Sequence, residues 1–416
     1  MSDRLQLAIA SFKKDSYITV EGRNKVDCFF IIQQGKVHVS REIAMESAGD
    51  EVLVPGDFFG VVSAMSSLSH IETAIALTDV TLITVRQQQY VQLIQKNPRV
   101  AIKIVKQLST QLRFLDRTLA RLTLQDGEET VEIDPSRLFD VAEYYFQQKQ
   151  YGQAFYAYTK YLKHCPEGKK RAAATGQLKG LADRGKNARV DSAKGELTRT
   201  YDQGDMLFAE GEPGDEFFVL QSGSVKISKI IDNKEILLGV LKIGDIFGEM
   251  ALLEGKPRAA NAVANEDSSV MAVSKTNFDY LITNQPQLIA KLTTLLANRI
   301  WSSFKQLEIL GIINPLGRIY GALLIQLEKS RINLESKGPH IFSSPWEDLI
   351  STLGLSEKEG YILMGELHKD KNIQIRKNRI HALSIREVVK QDEFYRKMDA
   401  RKKAQQENRV RNQTDF

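Results

Sequence analysis

Glu249 and Arg258 stand nine positions apart in GDIFGEMALLEGKPRAANAV (244–263), a stretch otherwise made of small, apolar and turn-forming residues. A carboxylate accepts hydrogen bonds from hydroxyl groups, and a guanidinium is a planar, permanently charged fork matched to an oxyanion. The amides around Gly248, Met250–Ala251 and Ala259 would complete a cradle, since glycine and alanine let a ligand approach the backbone closely. The set suits a small phosphate ester of a sugar, with Glu249 on a ribose hydroxyl and Arg258 on the phosphate. The alternative is a buried Glu–Arg ion pair that holds no ligand.

The elements that position this stretch occur twice. At an offset of 188 residues FFIIQQGKVHVS (29–40) falls on FFVLQSGSVKIS (217–228), PGDFFG (55–60) on IGDIFG (243–248) and DVTLITV (79–85) on DSSVMAV (267–273). One offset held over about 70 residues marks a duplicated domain, at 1–124 and 195–310. Short alternating apolar runs between Gly-Asp and Ser-Gly pairs predict antiparallel strands closing into a small roll. Each copy then predicts a long amphipathic helix, the first with Leu108, Leu112, Leu115, Leu119 and Leu122, the second with Leu292, Leu296, Ile300 and Leu307. Such stripes suit pairing with a second helix, and a homodimer is expected. The first copy serves as a control. Val61 stands where the second has Glu249, His70 where it has Arg258, and Ile71 where it has Ala259. A buried phosphate without a cation is costly. The first copy is therefore expected to bind no such ligand, and the fold itself does not demand the acid and the arginine.

Residues 125–194 separate the copies. FDVAEYYFQQKQYGQAFYAYTKYLKHCP (139–166) resembles one tetratricopeptide unit through Ala142, Tyr145, Ala154, Tyr158 and Pro166. A single unit is expected to pack or space rather than to form a peptide-binding array. The flanks 125–136 and 168–196 read as linkers, the second with room for a further short helix. After the second copy, residues 311–390 read helix, helix, Gly turn, helix and two short strands, the order of a winged helix-turn-helix. Residues 391–416 form a basic tail. From Lys371 to Arg411 there are 13 Lys/Arg against 5 Asp/Glu.

FGEMALLEGKPRAAN resembles the phosphate-binding cassette of the cyclic nucleotide-binding domain family, and FAEGEPGDEFFVLQSGSVKIS (208–228) resembles its early strands. The resemblance implies that Glu249 and Arg258 bind the ribose and the cyclic phosphate. Ala259, in place of a hydroxyl residue, implies cyclic AMP rather than cyclic GMP. From Phe278 to Ile319 the chain is similar to the dimer helix and hinge of the catabolite activator protein family of bacterial regulators, which implies that Arg299 and Ser303 reach the base. The fold expected is thus α+β and multidomain, with two β-rolls, a small helical linker and a winged helix.

The output end departs from that family. A DNA-reading helix needs Arg, Lys, Asn or Gln at its N-terminal end. Here SEKEGYILM supplies Glu357 and Ile362 where the family has arginines, with Lys358 as the nearest cation. Arg376, Lys377 and Arg379 on the wing would hold phosphates without reading sequence. Two functions follow. One is a cyclic AMP-responsive, dimeric regulator of transcription. The other is a cyclic nucleotide sensor that acts on a protein partner. An enzyme is not expected, for the 416 residues show no Ser–His–Asp arrangement, metal-ligand cluster or Walker loop. The composition, with 26% charged residues and a net charge of +5, is that of an ordinary soluble chain. Two unrelated cysteines, no signal-peptide order and no membrane-length apolar run predict a cytoplasmic protein without a membrane contact.

Overall fold

Alternation in CFFIIQQ and EFFVLQS buries the same positions in both copies, giving strands β3 (Cys28–Gln34) and β11 (Glu216–Ser222) with identical inside–outside patterns. The computed structural model describes residues 6–23, 27–41, 51–123, 134–181, 197–231, 233–274 and 284–414. Most of both expected linkers, and residues 278–283 of the segment likened to the dimer helix, lie outside the described residues. The chain forms two compact units, Met1–Tyr90 with Gln111–Thr130 and Leu296–Phe416, and Val91–Thr110 with Val131–Leu295.

In the first unit, strands β1 (Ala8–Phe12), β2 (Tyr17–Thr19), β3, β4 (Val37–Ser40), β5 (Glu51–Leu53), β6 (Phe58–Phe59), β7 (Thr73–Ala76) and β8 (Val80–Arg86) make two four-stranded sheets. Their orders are β1-β8-β3-β6 and β2-β7-β4-β5. The six-residue helix α1 (Val61–Ser66) links β6 to β7. Helix α2 (Tyr90–Lys96) and the long α3 (Pro98–Thr123) follow.

The second unit repeats the roll with β9 (Thr198–Tyr201), β10 (Met206–Phe208), β11, β12 (Val225–Ile231), β13 (Lys234–Leu241), β14 (Ile246–Phe247), β15 (Asn261–Ala264) and β16 (Ser268–Ser274). Helix α7 (Glu249–Glu254) takes the place of α1. From β3 onward the offset of 188 carries the ends of β3, β6, α1, β7 and β8 onto those of β11, β14, α7, β15 and β16. The register follows it too: Phe30 pairs with Phe59, and Phe218 with Phe247. The corresponding ring centroids lie 5.3 and 5.4 Å apart.

Between the rolls come α4 (Arg137–Gln147), α5 (Tyr151–His164) and α6 (Arg171–Leu181). Tyr145, Ala154, Tyr158 and Tyr161 share one core with Met206, Ala209, Ile230 and Val263 of the second roll. The helical unit is thus docked on that roll rather than free-standing.

The long helix after the second roll, α8 (Pro286–Leu310), leads to α9 (Pro315–Lys329). Asn314 caps α9 by accepting from Leu316 N at 2.9 Å, and Pro315 sits where no intrahelical donor is needed. Beyond it lie β17 (His340–Pro345), α10 (Trp346–Thr352), α11 (Glu357–Leu367), β18 (Ile373–Arg376) and β19 (Arg379–Ala382). The strands form one antiparallel sheet in the order β17-β19-β18. The basic tail is no separate element, because α12 runs without a break over Ile385–Thr414. Its first half is fixed by acids: Asp399 accepts from Ile313 N at 3.0 Å, and Tyr395 beside the buried Asp392 stacks on Tyr320.

The expected apolar stripes are largely buried within the chain. Leu108, Leu112 and Leu115 of α3 and Leu292, Leu296, Ile300 and Leu307 of α8 are buried, while Leu122 is exposed. Where both helices enter the first unit, Asp116 of α3 meets Arg299 of α8 at 3.5 Å and accepts from Ser303 Oγ at 3.4 Å. Under the repeat offset Asp116 corresponds to Phe304. The two helices thus meet at near-equivalent positions, Asp116 against Ser303 and Arg299.

Candidate functional site

The chain turns sharply out of β14 at Gly248, whose φ of 75° is left-handed and favours glycine, and enters α7 at once. Glu249 is the first residue of that helix and is 3% exposed. Met250 and Ala251 complete its first turn. Gly255, also left-handed, ends it and returns the chain toward Arg258 and Ala259. The backbone of Arg258 is held from both sides by the preceding loop: its N–H donates to Glu212 O at 2.8 Å, and its carbonyl accepts from Gly211 N at 2.9 Å.

The Arg258 side chain is 5% exposed. Its Nη1 donates to Glu216 O at 2.7 Å and to Gly248 O at 2.6 Å. The guanidinium lies 4.4 Å from the ring centre of Phe208 and 5.5 Å from that of Phe218, cation–π contacts in a desolvated setting. Burial pushes its pKa below the ordinary arginine value, while Glu212, Tyr156, Glu216 and Glu249 act to hold its charge. Nε is buried and has no partner. An anion is the acceptor this edge lacks, because a desolvated donor left unpaired is costly and a charged one more so. The guanidinium packs directly over Gly214, where a Cβ would lie 2.4 Å from Nε and 2.7 Å from Nη2. Glu249, Gly248 and Arg258 thus lie together among small residues, a donor set whose chemistry fits a phosphate.

The first copy repeats the backbone and replaces the chemistry. Gly22 N donates to His70 O at 2.8 Å, as Gly211 does to Arg258. Val61, His70 and Ile71 are all buried. Burial lowers the His70 pKa more than the nearby Glu72 raises it, so the site disfavours a charged ring. Glu72 stands where the second copy has Ala260. Its Oε1 accepts from the amide of Gly60, the glycine equivalent to Gly248, at 2.6 Å. Its Oε2 pairs with Arg41 Nη2, also at 2.6 Å, with both side chains under 10% exposed. The first copy thus places its own carboxylate on the amide of its cassette glycine.

Arg299 and Ser303 lie on α8. They belong to the unit of the first copy and share Asp116 there, whereas the second cassette lies in the other unit. Lys358 is exposed on α11. Arg376 and Arg379 face each other across the β18–β19 hairpin, whose turn residues Lys377 and Asn378 both have positive φ. All three wing cations are exposed. Tyr361 and Ile362 of α11 are 73% and 59% exposed, an apolar pair amid its solvent-facing charges.

Sequence reasoning passed over Glu212, Gly214 and the Arg41–Glu72 pair. Glu212 and Gly214 lie in AEGEPGDE, where every residue suits a turn and nothing local separates a solvated glutamate from a buried one. Among the described residues no group of three or more His, Cys, Asp or Glu is placed to hold a metal ion. Among the same residues no helix is long and apolar enough to cross a membrane.

Comparison with known proteins agrees with this geometry. The family description "Cyclic nucleotide-binding domain" matches residues 9–97 and 198–285. The chain is 33% identical over 127 residues to the cyclic AMP receptor protein of Thermus thermophilus, covering 30% of this chain and 59% of that protein. It is 30% identical over 125 residues to a CRP-like cAMP-activated global transcriptional regulator of Mycobacterium tuberculosis, covering 30% of this chain and 56% of that protein. The chain thus spans a little over half the length of these relatives. A solved transcriptional regulator of the CRP/FNR family, also from Thermus thermophilus, aligns at 22% identity and a TM-score of 0.34, over 47% of this chain and 98% of that one. The chain carries two domains of the cyclic nucleotide-binding family, in tandem, and resembles regulators of the CRP/FNR family.

Proposed function

We propose that this chain is a cyclic AMP-responsive regulator of transcription that binds its nucleotide in the second sensor domain and acts through a C-terminal winged helix. The observation that carries the reading is Arg258, buried in a cassette of small residues with its Nε edge unpaired. Glu249 takes a ribose hydroxyl and Arg258 the cyclic phosphate. Ala259 adds no hydroxyl beside the arginine, which favours cyclic AMP over cyclic GMP. The relatives are named for cyclic AMP and for transcription, which supports the same ligand and output. The first domain, with Glu72 on its cassette glycine, takes no nucleotide. Ligand that prefers one arrangement of the sensor shifts the population of the helices leading to the output.

A second output has its own support. The N-terminal part of α11 carries Glu359 in a capping box with Ser356, and its exposed face presents Tyr361 and Ile362. That face suits a protein partner better than a polyanion, and under this reading the basic wing serves as a solvated edge.

Calorimetry on the full chain tests the ligand assignment. One site per chain is expected, with cyclic AMP bound more tightly than cyclic GMP. Arg258→Ala should lose about 2–5 kcal/mol of binding. Two sites, or an unaffected Arg258→Ala, would contradict it. Salt-dependent binding to a palindromic duplex, strengthened by cyclic AMP, separates the transcriptional output from the protein-contact one.

A further inference from the structure

Two side chains one turn apart on α5 reach the loop that holds Arg258. Lys160 Nζ lies 2.9 Å from Glu212 Oε1, with the two side chains 13% and 9% exposed. Tyr156 OH donates to Glu212 Oε2 at 2.9 Å and also lies 3.1 Å from Leu207 O. Ala209 N donates to the same carboxylate oxygen at 3.1 Å. Lys160 sits 4.9 Å above the Tyr156 ring. Glu212 therefore faces two ways: its carboxylate grips α5, and its peptide carbonyl accepts the Arg258 N–H at 2.8 Å.

The charges make this more than a packing contact. Glu212 is the foremost of the acids acting on the Arg258 guanidinium. A buried carboxylate beside an anion site opposes the anion as well as fixing the cation. Lys160 offsets that negative charge, and the Tyr156 hydroxyl disperses it. Without Lys160 an incoming phosphate would meet a weaker positive potential at Arg258. Other contacts hold the same helical unit to the roll: Gln153 Nε2 donates to Gly204 O at 2.8 Å, and Tyr145 OH to Glu235 at 3.2 Å. Displacing α5 would strip Glu212 of both partners at once.

We propose that Lys160 and Tyr156 are positioning residues for the anion site of the second sensor, so that docking of the α4–α6 unit and nucleotide binding are coupled. The inference rests on the reading that Arg258 takes the phosphate. Coupling is reciprocal: a docked helical unit raises nucleotide affinity, and bound nucleotide tightens the docking by the same factor.

The full chain is titrated with cyclic AMP by calorimetry as the parent and as Lys160→Gln, Lys160→Arg and Tyr156→Phe. Hydrogen–deuterium exchange of α5 is followed in the parent with and without cyclic AMP. Lys160→Gln should weaken binding about 5- to 30-fold, the size of a lost charge-assisted contact. Lys160→Arg should return to within about threefold of the parent, and Tyr156→Phe should fall between. Exchange in α5 should slow when the nucleotide binds. A parent that binds while Lys160→Gln binds equally well, or while Gln and Arg lose alike, overturns the coupling and leaves the nucleotide site standing. Unchanged exchange in α5 overturns it without any variant, even if the substitutions prevent folding. A parent that binds no cyclic nucleotide overturns the site and the coupling together.

Discussion

Trp301 Nε1 donates to the carbonyl of Ser69 at 3.1 Å, joining α8 to the cassette of the first sensor domain in the residue before His70. The indole is fully buried. A helix that continues the second sensor thus supplies the side chain that closes the first one. Trp301→Phe keeps an aromatic ring but strands a buried carbonyl, and should cost about 1–3 kcal/mol of stability. Trp301→Ala adds a cavity and should cost about 3–5 kcal/mol. Denaturant unfolding of the full chain measures both, and a Trp301→Phe variant as stable as the parent would show that the hydrogen bond contributes nothing.

The second cassette depends on an absent side chain. Gly214 is not among the glycines with positive φ, so alanine meets no backbone strain there. Its Cβ would nevertheless lie 2.4 Å from Arg258 Nε. Gly214→Ala should displace the guanidinium and weaken cyclic AMP binding about tenfold or more, the size of one lost charge-assisted hydrogen bond. Thermal unfolding should change little. Calorimetry beside a melting curve checks the pair, and full affinity in the variant would place the phosphate elsewhere.

The roll was legible because its determinants are local and doubled. Alternation, turn glycines and the Phe30–Phe59 and Phe218–Phe247 pairs recur at one offset, and the strand ends follow it. Glu249 and Arg258 were legible because the twin copy lacks them. Glu212 was hidden, since its burial depends on α5, some fifty residues earlier in the chain. Glu72 was hidden for the same reason, its partner Arg41 lying on another strand end. An apolar stripe states that a helix face is covered and not by what. The stripes of α3 and α8 read as subunit contacts, and in the structure most of their residues are buried within the chain. The tail read only as basic because Asp392 and Asp399, which are buried, are outnumbered by lysines and arginines.

His70 gives the first domain a pH dependence. Burial holds its folded pKa below the ordinary value of about 6.5, against a smaller opposing pull from Glu72. The unfolded chain therefore takes up the proton first as pH falls. The stability due to the neutral ring is present above about pH 6.5 and is lost as pH falls through the lowered folded value. Urea unfolding of the full chain should show a midpoint that declines from pH 7.5 to 5. The decline should be shallower in His70→Gln, which cannot titrate. Equal slopes in parent and variant would assign the acid sensitivity to other groups.

The contact between Asp116 of α3 and Ser303 of α8 makes a prediction about covalent capture. Ser303 Oγ and Asp116 Oδ1 lie 3.4 Å apart, and Arg299 reaches the same carboxylate from the preceding turn of α8. Cysteines at both positions, Asp116→Cys with Ser303→Cys, should form a disulfide within the chain on mild oxidation. The product should keep the mobility of a single chain on a non-reducing gel, and mass spectrometry of a digest should join the two helices. The native Cys28 and Cys165 are half-buried and far apart in sequence, and the parent protein serves as their control. A dimer cross-linked through Ser303→Cys would instead mean that α8 meets its counterpart in a second copy, and that the contact between Asp116 and Ser303 is not the one held in solution.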